Sequence, residues 1–248
     1  MTKMKNNTVD EMKSAMTEAY WINKFKEQEE LIKQAFPGEN YKQCLDKVSF
    51  GMRYYNPMWV VTDEAHVWSL NLKRALPGYQ DDGGTKNKNG EYTQHRYHLK
   101  NSWYESVKAS GRKYPLRVYF HQLVANYFCD KLAITLFGEE ECVPHHIFGY
   151  DESASCQWLN RAKHIQYVKK EHHKLLNALQ KGIKPEDFEK YGLENSAVMR
   201  HLVQNAKAKR MYHGQEIVTG VKVTYNSDGS SQLTCVIPIN DGERVWLN

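Results

Sequence analysis

The sequence predicts an α+β protein, and three observations carry that prediction. Residues 8–36 place Met12, Met16, Tyr20, Ile22, Phe25, Leu31 and Phe36 along a partial helical stripe. Short β-prone runs follow, Met58-Trp59-Val60-Val61 and His66-Val67-Trp68-Ser69-Leu70. Residues 141–182 then read as strand, loop, strand and helix, and five of the chain's eleven histidines fall inside that unit.

Taken in order, the first helix has a start signal in Thr8 with Glu11, a capping box, and a stop signal in Pro37-Gly38. Residues 47–128 are β-rich. The Gly/Asp/Asn segment Gln80 to Gly90 reads as a loop, Tyr92 to Leu99 and Arg117 to Tyr119 as strands, and Ser110-Gly111-Arg112-Lys113 as a hairpin turn between those two. From Phe120 to Phe128, Leu123, Val124, Tyr127 and Phe128 sit at helical spacing. Residues 141–148 read as a strand, 149–163 as a loop, Ile165 to Val168 as a second strand, and Lys169 to Gly182 as a helix that Gly182 ends. Two more helical stretches, 185–191 and 196–210, break at Gly192, with Ser196 as the N-cap of the second. Finally, Glu216 to Tyr225 and Gln232 to Ile239 flank Asn226-Ser227-Asp228-Gly229, a strong hairpin signal. These elements group into an N-terminal helical segment (1–45), a β-rich module (46–113), a core (114–182) and a region of basic helices and a hairpin (183–248).

The 248 residues suffice for one large domain or two small ones with real cores. Five scattered cysteines without a C-x-x-C pair indicate neither a disulfide framework nor a thiolate zinc site. The N-terminal MTKMKNNTVDEMK has no apolar core, and no apolar run approaches the roughly 18 residues that span a bilayer. The expectation is a cytoplasmic protein with reduced thiols and no membrane partner. Net charge is +5, but it is unevenly spread. Arg161 to Arg210 carries twelve Lys and Arg against five Asp and Glu, a local excess of +7, so the remainder is slightly acidic. Positive charge beside and after the histidines is the footprint of a polyanion binder, or else a solvated basic face.

The histidines come as a pair, a single and a pair: His145-His146, His164 and His172-His173. Imidazole is the commonest metal ligand and the side chain that most easily moves a proton near neutral pH. If the two strands form a hairpin with the helix packed across it, these three positions converge. Neighbours on a strand point to opposite faces, and neighbours on a helix lie about 100° apart, so the members of each pair take different jobs. Phosphodiester hydrolysis needs a base to deprotonate water, a divalent cation at the scissile phosphate, and a group that orients the base. A histidine near its unperturbed pKa of about 6.5 suits the first role, and a neutral imidazole can supply a metal ligand for the second.

The stretch resembles the HNH, or ββα-metal, nuclease family. His145-His146-Ile147 matches the paired residues at the end of the first strand. His164-Ile165-Gln166-Tyr167-Val168 through His173 keeps the family's nine-position spacing from the middle residue to the last. Upstream, Val118 to Phe128 looks like the V-x-x-H-x-L-V-A-x-x-F segment ahead of the core in phage-type homing endonucleases. Trp59 to Asp63 and Val67 to Leu70 look like a worn form of the small β module fused before it. Together these cover about residues 55–177. The resemblance implies His146 as general base, His145 and His173 as metal ligands, Asn177 as an accessory group near the metal, and His164 as the brace of loop and base. It also implies a divalent cation, Mg²⁺ or Mn²⁺ or else Zn²⁺, and double-stranded DNA as partner, for a monomer or homodimer in a bacterial host cell. Two departures stand out. The middle position is His164 where the family has Asn, with Asn160 as its alternative occupant, and the loop between His146 and His164 is long and lacks the usual Asp-Gly and Asn-Asn turn.

Around the cluster, Arg161, Lys163, Lys169 and Lys170 are candidates for phosphate contacts. On the C-terminal helices Arg200, Gln204, Lys207 and Arg210 are candidates for DNA contacts, since Gln and Arg read base edges and Lys more often grips phosphate. The expected function is therefore a metal-dependent DNA endonuclease of homing or phage HNH type. The alternative is a DNA-binding protein without activity on a degenerate HNH scaffold.

Overall fold

The computed structural model describes residues 17–47, 53–80, 97–103, 107, 111, 115–148, 159–173, 176, 211–212, 215–216, 220–239 and 243–247. The chain divides into two compact units, Met1–Tyr127 and Phe128–Asn248. It is a mixed α+β protein whose sheets are small and antiparallel. Among the described residues, no helix is long and apolar enough to cross a membrane.

In the first unit, α1 (Glu18–Ala35) packs on a four-stranded sheet of β1 (Tyr41–Cys44), β2 (Asn56–Thr62), β3 (Val67–Ser69) and β4 (Arg74–Ala75), in that order. Its inward face is Trp21, Gln28 and Ile32, which, with Phe36, meet Val60, Trp68 and Leu70. Gln28 is a polar residue in an apolar stripe, and both ends of its amide are satisfied. Its Nε2 donates to the Leu70 carbonyl (2.8 Å), and its Oε1 accepts from Trp68 Nε1 (3.0 Å). The sequence predicts one helix from residue 8, but Thr17 has extended backbone (φ −62°, ψ 159°) and stands as the N-cap of α1. A helix continuous from residue 8 is thereby excluded. The capping box at Thr8 lies outside the described residues.

A second sheet joins β5 (Tyr79–Gln80), β6 (Tyr97–Asn101) and β7 (Leu116–Tyr119), and β7 runs directly into α2 (Phe120–Phe128). Phe120, Leu123, Val124 and Tyr127 are buried, which is the helical spacing read from the sequence. Strands β6 and β7 pair antiparallel on either side of residues 102–115; of the expected turn Ser110–Lys113 only Gly111 is described, at φ +67°. The loop after Gln80 lies outside the described residues. Strand β1 and the short β4 carry no period long enough to have been read from sequence.

The second unit holds the histidines. Short helix α3 (Leu132–Phe137) precedes β8 (Cys142–His146), which pairs antiparallel with β9 (Ile165–Lys169). Residues 170–173 and 176 are helical, giving α4. The strand, strand, helix order is the predicted one; residues 149–158 of the expected loop and the expected helix end at Gly182 lie outside the described residues. Two further groups follow: the pair β10 (Met211–Tyr212) and β11 (Gln215–Glu216), and the sheet of β12 (Gly220–Tyr225), β13 (Ser231–Ile239) and β14 (Glu243–Leu247). The β12–β13 register closes from Gly220↔Val236 to Tyr225↔Ser231 around a turn at Asn226–Gly229. The hairpin is as predicted, whereas β14 extends the sheet beyond it. The stretches 185–191 and 196–210 lie outside the described residues.

Strand β12 docks on the turn that follows β8. The Val221 N–H donates to the Ile147 carbonyl at 2.8 Å. A Cβ on Gly220 would stand 2.7 Å from that carbonyl oxygen and 2.6 Å from Phe148 Cδ1. Only glycine permits an approach this close.

Candidate functional site

The β8–β9 ladder fixes where the first histidine pair stands. His145 opposes Gln166 and His146 opposes Ile165. Because successive strand residues alternate faces, the two imidazoles have different surroundings. His145 is buried, 3 % exposed, while His146 is half-buried.

His145 faces α4. Its ring lies 5.3 Å from that of His173, nearly perpendicular to it. Burial, then the nearby His173 and His146, push the His145 imidazole down to about 3. Burial also lowers His173. Charging either ring in this setting is costly, so both stay neutral at physiological pH. Two converging neutral imidazoles are a donor set that suits a divalent first-row transition ion. Among the described residues, no group of three or more His, Cys, Asp or Glu side chains converges as a metal site. A pair of such ligands would leave the remaining positions of an ion to other donors.

His146 faces the loop. Its Nε2 lies 3.0 Å from Asn160 Oδ1. A carboxamide oxygen only accepts, so Nε2 carries the proton and Nδ1 the lone pair. Asn160 is 7 % exposed and sits with Leu159 in a helical turn that leads into a 3₁₀ turn, Ala162–His164. That turn holds Asn160 at the end of the loop facing β8.

His164 has a different setting. It is 2 % exposed, with its ring edge-on to Phe148 at 5.1 Å. Its carbonyl accepts from the Ile147 N–H (2.8 Å), and its own N–H donates to the Arg161 carbonyl (2.9 Å). His164 thus joins the end of β8 to the start of β9 through its backbone, while Asn160 reaches the His146 ring.

Of the expected phosphate contacts, Lys163 and Lys170 are exposed and Arg161 is half-buried. Lys169 Nζ is engaged by Glu171 (2.6 Å) and stands over the Phe137 ring at 5.2 Å. Asn177, Arg200, Gln204, Lys207 and Arg210 lie outside the described residues.

Sequence reasoning left one participant unnoticed. Tyr225, at the end of β12, places its hydroxyl 2.9 Å from both the Lys169 nitrogen and His172 Nδ1. It follows His172 by 53 residues, and no local spacing links them.

Comparison with solved structures finds a similarity to that of DNA binding and cleavage by the HNH homing endonuclease I-HmuI, at 15 % identity and a TM-score of 0.32, over 78 % of this chain and 76 % of that one. No protein-family model matches the chain, and no curated protein does.

Proposed function

We propose that the second unit is the catalytic core of a metal-dependent endonuclease that hydrolyses DNA phosphodiesters in the HNH manner. The observation that carries this reading is the His146–Asn160 hydrogen bond, made on the same strand end that brings His145 to His173. A base with a fixed tautomer beside a pair of neutral metal-ligating imidazoles meets the stated needs of phosphodiester hydrolysis.

In this reading His146 Nδ1 takes a proton from the attacking water. The water oxygen bonds to phosphorus, and the opposite P–O bond breaks to give a phosphate monoester and an alkoxide that is protonated to the alcohol. Asn160 holds Nε2–H, keeping Nδ1 aimed at the water. His145 and His173 would hold the cation, which when bound neutralises charge on the phosphate. The nitrogen-rich pair favours Zn²⁺ or another transition ion over Mg²⁺, which prefers oxygen ligands. The exposure of Lys163 and Lys170 supports the reading of them as contacts to the DNA backbone, with Arg161 and Lys169 beside them in sequence. Asn177 and the four residues on 196–210 remain proposed contacts on the strength of the sequence.

The test is a plasmid assay. Supercoiled DNA is incubated with protein and Zn²⁺, Mn²⁺ or Mg²⁺ in parallel, with an EDTA control. Nicked or linear product that EDTA abolishes is the expected result. Intact plasmid in every metal, at protein concentrations that retard DNA in a gel, would instead support a binding protein without activity.

A further inference from the structure

The start of α4 is capped from outside its own chain segment. In a capping box the residue before the helix and the third helical residue satisfy one another. Here those positions are Lys169 and His172. Lysine has no side-chain acceptor, and the Lys169 ammonium is turned to Glu171 at 2.6 Å. The hydroxyl of Tyr225 stands between the two. It accepts from the Lys169 N–H (2.9 Å) and is 2.9 Å from His172 Nδ1. The hydroxyl thus holds the Lys169 N–H and shares a hydrogen bond with His172 Nδ1, in either tautomer of that ring. The phenol ring also stacks on His172 at 5.6 Å and 19°, and it meets Phe137 edge-on at 5.3 Å. Tyr225 itself is only 8 % exposed.

The next residue along α4 is His173, whose ring faces His145. We propose that Tyr225 is a positioning residue for the His145–His173 pair: its hydroxyl fixes the first turn of α4 and so sets where His173 stands. The C-terminal sheet is then part of the site's construction rather than an appendage. This rests on the reading of His145 and His173 as metal ligands. It adds a residue that touches neither the ion nor the substrate.

The variant Tyr225→Phe removes the hydroxyl and keeps the stacked ring. Two measurements on the whole chain decide the matter. In metal-free protein, amide hydrogen exchange over 169–176 should accelerate, with β12 and β13 unchanged. In a Zn²⁺ or Co²⁺ titration the affinity should fall about tenfold, the lower end of what loss of a ligand-orienting partner costs. Nicking should fall at limiting metal, recover at saturating metal, and leave KM for DNA unchanged. His172→Phe, which removes the other end of the bridge, should give the same metal loss, and the double variant should lose little more than either single one. Wild-type exchange and wild-type metal affinity in Tyr225→Phe would overturn the assignment, whatever the protein does to DNA. Faster exchange and weaker metal binding with plasmid left intact by both proteins would keep the assignment and remove the nuclease reading.

Discussion

Replacing Asn160 by alanine deletes the acceptor of the His146 Nε2 proton and leaves the rest of the β8–β9 core in place. The hydrogen bond is 3.0 Å long and joins two neutral groups, one of them 7 % exposed. A bond of that kind contributes about 0.5–1.5 kcal/mol net. If that sum is lost only from the correctly aimed base, the rate falls by about 2–13-fold. Freeing the ring to rotate adds to this, and the ceiling is the roughly 10²–10⁴-fold that a positioned general base supplies altogether. Asn160→Ala should therefore lower the single-turnover nicking rate by roughly 5–100-fold with unchanged DNA binding. Asn160→Asp keeps an oxygen acceptor at the same reach and should recover most of that loss. His164→Asn is the informative contrast. His164 joins β8 to β9 through its backbone and meets Phe148 edge-on, and the bond to the His146 ring is made by Asn160, so a folded His164→Asn should lose less activity than Asn160→Ala. A wild-type rate in Asn160→Ala together with a collapsed rate in a folded His164→Asn would refute the assignment and return the bracing role to residue 164.

Two further predictions concern stability. Gly220→Ala drives a methyl into the Ile147 carbonyl and the Phe148 ring, and overpacking of this kind costs about 1–3 kcal/mol. Calorimetry of the variant should show a lower thermal midpoint, and a wild-type midpoint would contradict the close approach of β12. His145 makes stability depend on acid. Its folded-state value is depressed to about 3 from the ordinary 6.5, so its contribution is complete above pH 6.5. As pH falls through that value the unfolded chain takes up a proton that the folded one refuses until about pH 3. The loss runs at about 1.4 kcal/mol per pH unit, or about 2 kcal/mol between pH 6.5 and 5. Urea unfolding in EDTA should show this slope in wild type and a shallower one in His145→Gln; equal slopes would show that His145 titrates normally.

The elements most legible in the sequence are those with strong local signals. Phe120–Phe128 carries its buried face at helical spacing, and Asn226–Gly229 turns the chain between β12 and β13 as its composition demands. The β8–β9–α4 order was equally readable, because strand-forming runs and the histidine spacing sit close together in sequence. What the sequence conceals is contact at a distance. Gly220 is a glycine only because Ile147 lies against it, and Tyr225 is tied to Lys169 and His172 by bonds that span more than fifty residues. The middle position of the motif shows the limit most clearly. Spacing alone selects His164, whereas the side chain that reaches the His146 ring comes from Asn160, four residues earlier in the loop. A long loop detaches spacing from reach.

The assignment of His146 as the base can be tested on its own. Purified wild type and His146→Ala are compared on supercoiled plasmid with saturating Zn²⁺ or Mn²⁺, under single-turnover conditions, with DNA binding measured in parallel. The expected result is EDTA-sensitive nicking by wild type that drops by roughly 10²–10⁴-fold in the variant, with DNA affinity within a few-fold. Nicking by His146→Ala at the wild-type rate would contradict it.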